Sequence, residues 1–211
     1  MIEINNNVSN AFGAVRNQGM RGTCLAFASS DLNQYINLVG APLSVEYLAH
    51  HAVKTMPNWQ PSNGLEVEAV LKALNSPGQP EETKYPYQQN NQSAPLVQVP
   101  SNLQPLYTAN CKQRKLSFKQ INEAIESGKS ICIIVFLSDT FRTPNAGIVE
   151  YSSNYYQDQL HALLIVGLGK HKHTGEMHVL IRNSWGDNWG LNGHAWLSQQ
   201  YLAKYLIDSF A

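Results

Sequence analysis

The sequence predicts an α+β domain, with a mainly helical lobe over residues 1–112 and a mainly β lobe over 113–211. Three observations predict it. Apolar residues recur with a helical period after Cys24. Short apolar runs rich in β-branched residues take over after residue 130. The 211-residue length suits one domain, or two small lobes sharing a cleft, and is ample for a core. No internal repeat interrupts this order.

The elements follow in turn. Leu25, Ala28, Leu32, Tyr35, Ile36 and Val39 mark the first helix, which Gly40 and Pro42 end. Ser44 is a candidate cap for a second helix holding Val45, Leu48 and Ala49. Val67, Val70, Leu71 and Leu74 mark a third, stopped by Pro77-Gly78. Residues 85–112 are rich in Pro, Gln and Asn and read as a connector. Ser117-Phe118-Lys119-Gln120 is a capping-box pattern opening a short helix that Gly128 closes. Strands are expected at 130–137, 160–168, 177–182 and 194–198, with Gly169 and Gly175 flanking a turn. The stretch 138–159 reads as a long loop lining a site.

Composition narrows the function. Apolar residues make up 43%, which places the chain among folded rather than disordered proteins. Fifteen basic residues balance fifteen acidic ones, so there is no surplus to hold phosphates, and nucleic acid is not an expected partner. No apolar run approaches the ~18 residues of a membrane span, and no membrane association is expected. The N-terminus, Met1 to Asn7, has neither a basic nor an apolar region and does not read as a signal peptide. Three widely spaced cysteines, Cys24, Cys111 and Cys132, make no disulfide framework and point to a reducing cytosol. Cys132 lies in an apolar run and reads as a buried filler. His171-Lys172-His173 with His178 spans a probable hairpin turn without a supporting cysteine or carboxylate set. The sequence predicts a solvated turn there, and no metal or organic cofactor is expected.

Cys24 carries the chemistry. A glycine-loosened loop, Gly19 to Gly22, precedes it, and the helical period starts at the cysteine. That places the thiol in the first turn of a helix, where unpaired N–H groups favour a thiolate. Lowering a thiol from ~8.5 to ~4 requires about 6 kcal/mol, and a helix end supplies at most ~2. A cation is therefore needed, and His is the usual one. His161 opens the strand-like run Leu160 to Gly167 and is best placed to face a cleft. Asn183, at the end of another strand, can orient the imidazole, and Trp185 can shield that hydrogen bond from water.

These segments resemble the papain family of cysteine peptidases. Asn17-Gln18-Gly19-Met20-Arg21-Gly22-Thr23-Cys24-Leu25-Ala26-Phe27 is similar to the family's cysteine signature. His161-Ala162, followed by Val166-Gly167-Leu168-Gly169, resembles its histidine strand. Asn183-Ser184-Trp185-Gly186, followed by Trp189-Gly190 and Asn192-Gly193, resembles its asparagine signature. Leu43-Ser44 and Tyr85-Pro86-Tyr87 also fall where the family carries such residues. The resemblance implies a papain-like fold, with a helical left lobe and a β-barrel-like right lobe facing across an active-site cleft. It implies Cys24 as nucleophile, His161 as its ion-pair partner and acid/base, and Asn183 as the residue that orients His161. Gln18 and the Cys24 backbone N–H would form the oxyanion hole. Gly64, Asn63, Leu160 and Trp185 would meet a protein or peptide substrate.

The sequence departs from the family in places. Arg21 stands where a disulfide cysteine is usual, Leu25 replaces a Trp, Asn63 replaces the first of two glycines, and Leu160 replaces the residue before the histidine. The sequence begins almost at the catalytic domain, so restraint by a dedicated inhibitor or immunity protein is expected, as for a bacterial effector or toxin domain, with export or injection into a target cell by a non-classical route. Two rival readings share these residues: a Cys–His acyltransferase, deamidase or transglutaminase, and a non-catalytic module that kept the fold. Loops 57–63 and 138–159 are expected to set selectivity.

Overall fold

The computed structural model describes residues 1–60, 62–90, 99–100 and 102–211. Parts of the expected 85–112 connector and of loop 57–63 fall outside these residues. In chain order the described elements are β1 (Ile2–Asn7), α1 (Cys24–Ile36), α2 (Val45–Val53), α3 (Val67–Asn75), α4 (Phe118–Glu126), β2 (Ile131–Ser138), β3 (Ile148–Val149), β4 (Tyr155–His171), β5 (Met177–Arg182), β6 (His194–Ser198), α5 (Gln199–Tyr205) and β7 (Leu206–Phe210).

Local chemistry sets the helix starts. The Ser44 hydroxyl accepts from Tyr47 N at 3.1 Å, one of the donors a helix start leaves unpaired. Ser117 and Gln120 form a reciprocal capping box at the head of α4. Gly128, at φ +79°, lies just beyond that helix, where a residue with a Cβ is disfavoured.

Among the described residues the sheet runs β3-β6-β5-β4-β2-β7, with β1 also paired to β4. Its pairings are antiparallel except β3 with β6. β4 is the organising strand. Its residues 162, 164 and 166 face a core shared with α1, α2 and α3, built from residues such as Leu32, Leu48, Val70 and Leu74. The alternate set, Leu163 and Ile165, faces a second core closed by Ile121 and Ile125 of α4 and by Tyr201, Leu202 and Tyr205 of α5. Burial on both faces explains why this strand reads as a continuous apolar run rather than an alternating one.

Three expectations are corrected. The stretch 138–159 is not one loop: it holds a short 3₁₀ turn at Asp139–Arg142, strand β3, and the first residues of β4. Gly169 lies inside β4, which continues to His171 before the turn. β1, α5 and β7 are additional elements. β1 is polar and edge-like, so its six residues show no apolar alternation. β7 follows α5 with no intervening turn residue for the sequence to announce.

An irregularity in β4 sets the site. Phe136 pairs with Leu160, but its neighbour Leu137 pairs with Tyr156, so residues 157–159 leave the ladder immediately before His161. Such bulges re-aim side chains.

The helices are tied to the sheet by a buried carboxylate. Asp31 of α1 binds Arg16 Nη2 at 2.8 Å through one oxygen and Arg182 Nε at 2.8 Å through the other. Arg182 also donates to the carbonyl of Ala14 at 3.0 Å.

Candidate active site

Cys24 is the first residue of α1. Its helix cap, Thr23, makes no side-chain bond to the first-turn amides, because its hydroxyl lies 2.7 Å from Tyr87 Oη instead. The amides of Cys24 and Leu25 are thereby left to the sulfur, which also receives the N–H of Ala162, the residue after His161. The thiol of α1 and the backbone of β4 thus meet where the helices pack on the sheet.

His161 is buried in β4. Its Nε2 lies 2.7 Å from Asn183 Oδ1. The same oxygen accepts from Ser184 N at 2.8 Å. A backbone N–H can only donate, so this atom of the Asn183 amide is the oxygen, and Nε2 must carry the imidazole proton. Nδ1 of the neutral ring is then a free acceptor. Asn183 Nδ2 is buried without a partner among the described residues, so the side chain is held through its oxygen alone.

Aromatic rings cover this bond. Trp185 packs on the imidazole with centroids 4.8 Å apart. Phe141 sits 5.9 Å from His161 and 5.5 Å from Trp185, and Trp189 stacks on Phe141 at 5.2 Å. Trp185 and Phe141 thus pack against the imidazole, with Trp189 behind them.

Gln18 lies in the loop before α1, bridged to the asparagine segment. Its backbone N–H donates to Ser184 O at 2.8 Å. Its side-chain Oε1 accepts from Ser184 Oγ at 2.6 Å, and Nε2 donates to Arg21 O at 2.7 Å. The remaining N–H of that amide has no acceptor among the described residues, which leaves it available to a ligand.

A cleft of about 600 Å³ brings together Cys24, His161, Gly64 and Leu160, with Leu65, Val67, Ile134 and Ala162 among its apolar walls. Asn63 is not among its lining residues; its carbonyl sits behind Gly22, where a Cβ would approach it to 2.9 Å. Trp185 lies against His161 rather than in the cleft wall. The sequence assigns no role to Thr23, Tyr87 or Ser184, though all three stand in the segments that resemble the family, and nothing in it singles out Phe141. The signal in each of those three cases is its place in such a segment; Phe141 offers none.

Burial opposes the charge on both Cys24 and His161. Burial pushes the Cys24 thiol up, against the N–H groups of Ala162, Leu25 and Cys24. Burial pulls His161 down to about 4; the bond to Asn183 opposes this and the Arg142 guanidinium adds to it. The sequence expects a thiolate–imidazolium pair. Desolvation penalises each charge taken singly, and that is the cost the mutual attraction of a thiolate–imidazolium pair has to offset.

A family model described as papain family cysteine protease matches residues 3–211. The chain belongs to the papain family. Mouse cathepsin J is 31% identical over 93% of this chain, and the match covers 60% of cathepsin J, so the chain spans somewhat over half the length of that relative. The fold is that of xylellain, a cysteine protease from Xylella fastidiosa, at TM-score 0.79 and 20% identity over 100% of this chain and 85% of the other. It is also similar to the Carica candamarcensis cysteine protease CMS1MS2, solved in complex with E-64, at TM-score 0.66 and 21% identity over 95% of this chain and 92% of the other. This papain-family chain carries no disulfide, since its three cysteines are free. Among the described residues no helix is long and apolar enough to cross a membrane.

Proposed function

We propose that this papain-family chain is a cysteine endopeptidase acting on proteins or peptides. The observation that carries the proposal is the fixed tautomer of His161. With Nε2–H held by Asn183, Nδ1 is open to take a proton from the thiol that shares its cleft.

The Cys24 thiol gives its proton to Nδ1, and each ion then has the other as partner. The thiolate attacks the scissile carbonyl. Negative charge on that oxygen receives the open N–H of Gln18 and the backbone N–H of Cys24, preorganised donors that need not rearrange during the reaction. His161 protonates the leaving amine, and the thioester forms. Water then attacks the thioester, with Nδ1 taking its proton, and returns the free thiol. Gly64, which has open space around its α-carbon, lets a substrate backbone approach the cleft wall.

The finer reading is an effector or toxin domain active in a reducing cytosol and restrained by an inhibitor protein. Its support is the set of three unpaired thiols. Expression of the wild-type chain and of Cys24→Ala in a bacterial cytosol tests it: slowed growth with the first alone supports it, and unchanged growth with both removes it.

The peptidase reading is tested by mass spectrometry of a protein mixture treated with either chain. Backbone cleavage that requires Cys24 supports it. A side-chain mass change without cleavage points to an acyltransferase or deamidase. Failure of Cys24 to react with E-64 points to a non-catalytic module.

A further inference from the structure

We propose that a buried ion pair, Arg21 with Glu46, works with Tyr87 as the positioning device for the oxyanion hole, in place of a covalent clamp on that loop. The proposal rests on the peptidase reading.

Arg21 lies three residues before the nucleophile and is 7% exposed; Glu46 of α2 is fully buried. The two meet through both ends of the guanidinium, Nη1 to Oε2 at 2.5 Å and Nη2 to Oε1 at 3.1 Å. Nη1 also donates to the carbonyl of Gln88 at 3.0 Å, and Gln88 N donates to Glu46 Oε2 at 3.2 Å. The guanidinium lies 4.8 Å from the centre of the Tyr87 ring. One cation thus binds α2, the segment at 87–88 and the loop leading to Cys24.

Tyr87 passes this constraint to the catalytic groups. Its hydroxyl donates to the carbonyl of Gln18 at 2.9 Å. Its single proton being spent there, the contact at 2.7 Å with Thr23 must be a donation from Thr23 Oγ1. The Thr23 hydroxyl is thus drawn away from the start of α1, which keeps the first-turn amides open. Meanwhile the Arg21 carbonyl accepts from Gln18 Nε2 at 2.7 Å and from Thr23 N at 2.8 Å. The Arg21 carbonyl and the Ser184 hydroxyl thus hold the two ends of the Gln18 amide, the guanidinium anchors the loop that carries that carbonyl, and the hydroxyl of Tyr87 holds the Gln18 backbone.

Position and stability are separable here. Replacing a buried ion pair with apolar residues of similar size is often neutral for stability. Double variant Arg21→Met/Glu46→Met is therefore expected to melt close to the wild type. Tyr87→Phe keeps the ring under Arg21 and removes only the hydroxyl. With a peptide substrate found by cleavage-site profiling, both variants should lose at least about tenfold in kcat with little change in KM, because a displaced donor is missed in the transition state. Inactivation by E-64 opens an epoxide and builds no carbonyl oxyanion, so its rate should stay within about threefold.

Wild-type kcat in the folded double variant overturns the proposal. So does a parallel fall of kcat and E-64 rate, which would mean the nucleophile itself had been lost. Amide hydrogen exchange of residues 18–25 reads the clasp without turnover. It should quicken in both variants, and unchanged protection overturns the proposal even should the wild type cleave no peptide, an outcome that sinks the peptidase reading instead.

Discussion

Asn183 Oδ1 accepts two hydrogen bonds at once, from His161 Nε2 at 2.7 Å and from Ser184 N at 2.8 Å. The second bond makes the first directional. It fixes which end of the amide faces the ring, and the ring in turn presents Nδ1 to the cleft. Asn183→Ala removes the bond that orients the imidazole and would steady its charged form. Hydrogen bonds to charged groups are worth ~1.5–3 kcal/mol, so kcat should fall roughly tenfold to a hundredfold. Steady-state kinetics on the profiled peptide check this; an unchanged kcat would show that the aromatic rings orient His161 alone.

The ring's proton affinity is the second expectation. In a Cys24→Ala background, where no thiol perturbs the reading, the NMR signals of His161 should titrate at about 4. Arg142→Gln removes a cation that disfavours the imidazolium, so the value should rise. Asn183→Asp places a carboxylate on the Nε2–H and should raise it further. A titration near the ordinary histidine value in the starting protein would mean that water reaches the ring despite Trp185 and Phe141.

The same depression makes the fold sensitive to acid. Folded His161 resists protonation until about pH 4, whereas in the unfolded chain it titrates at 6.5. Between those values the unfolded state binds the extra proton, so stability falls as pH drops through the window and levels off below it. A depression of this size corresponds to about 3 kcal/mol. His194 is depressed by burial too and acts in the same direction. Urea unfolding at pH 7 and pH 4.5 should show the loss, and His161→Phe should shrink the difference between the two. Equal differences in both proteins would assign the acid sensitivity to other groups.

The proposed oxyanion hole predicts graded effects. Gln18→Ala deletes a donor and should cost about 10²–10³ in kcat. Ser184→Ala leaves the donor but frees the amide at its oxygen, where Ser184 Oγ now holds it at 2.6 Å. Loss of one orienting bond is worth ~1 kcal/mol, so a fall of about fivefold is expected. Equal losses in the two variants would show that Gln18 works only when clamped, and no loss in either would place the donor elsewhere.

How much of this was legible beforehand differs by residue. The helix at Cys24, the Ser44 cap, the capping box at Ser117 and the buried runs of β2 and β4 were readable because each is a local pattern. Cys24, His161, Asn183 and Gln18 stand in signature segments, and the roles proposed for them come from that resemblance. β1 was not, because a polar edge strand has no apolar period, and the start of β4 was not, because its tyrosines and glutamines precede a bulge. The contacts of Arg21 with Glu46 and of Thr23 with Tyr87 span 25 and 64 residues, so only folding brings those partners together. The cost that burial puts on each charge of the pair was not legible for a related reason. Helix-end and ion-pair arguments count the attractions on a charge, while its desolvation depends on what the fold packs around it.

Burial also decides which ion pairs hold α1 to the sheet. Asp31 is held by Arg16 and Arg182, each at 2.8 Å and both largely buried. Burial alone would raise its carboxyl, but the two guanidiniums outweigh that and keep it below the usual range. Asp31→Asn leaves the two arginine charges without their shared carboxylate at the junction of α1 and β5. Breaking such a pair costs ~3–5 kcal/mol, whereas an exposed pair is worth ~0.3–0.5. Glu68 with Lys72, 2.7 Å apart on the outside of α3, is the control. Chemical denaturation should show a large loss for Asp31→Asn and almost none for Glu68→Gln. Because the Asp31 carboxyl is held low, its contribution persists above the ordinary aspartate range and fades as pH falls through its lowered value. The gap between wild type and Asp31→Asn should therefore narrow in strong acid, and a gap that stayed constant would mean that packing, not charge, supplies the stability.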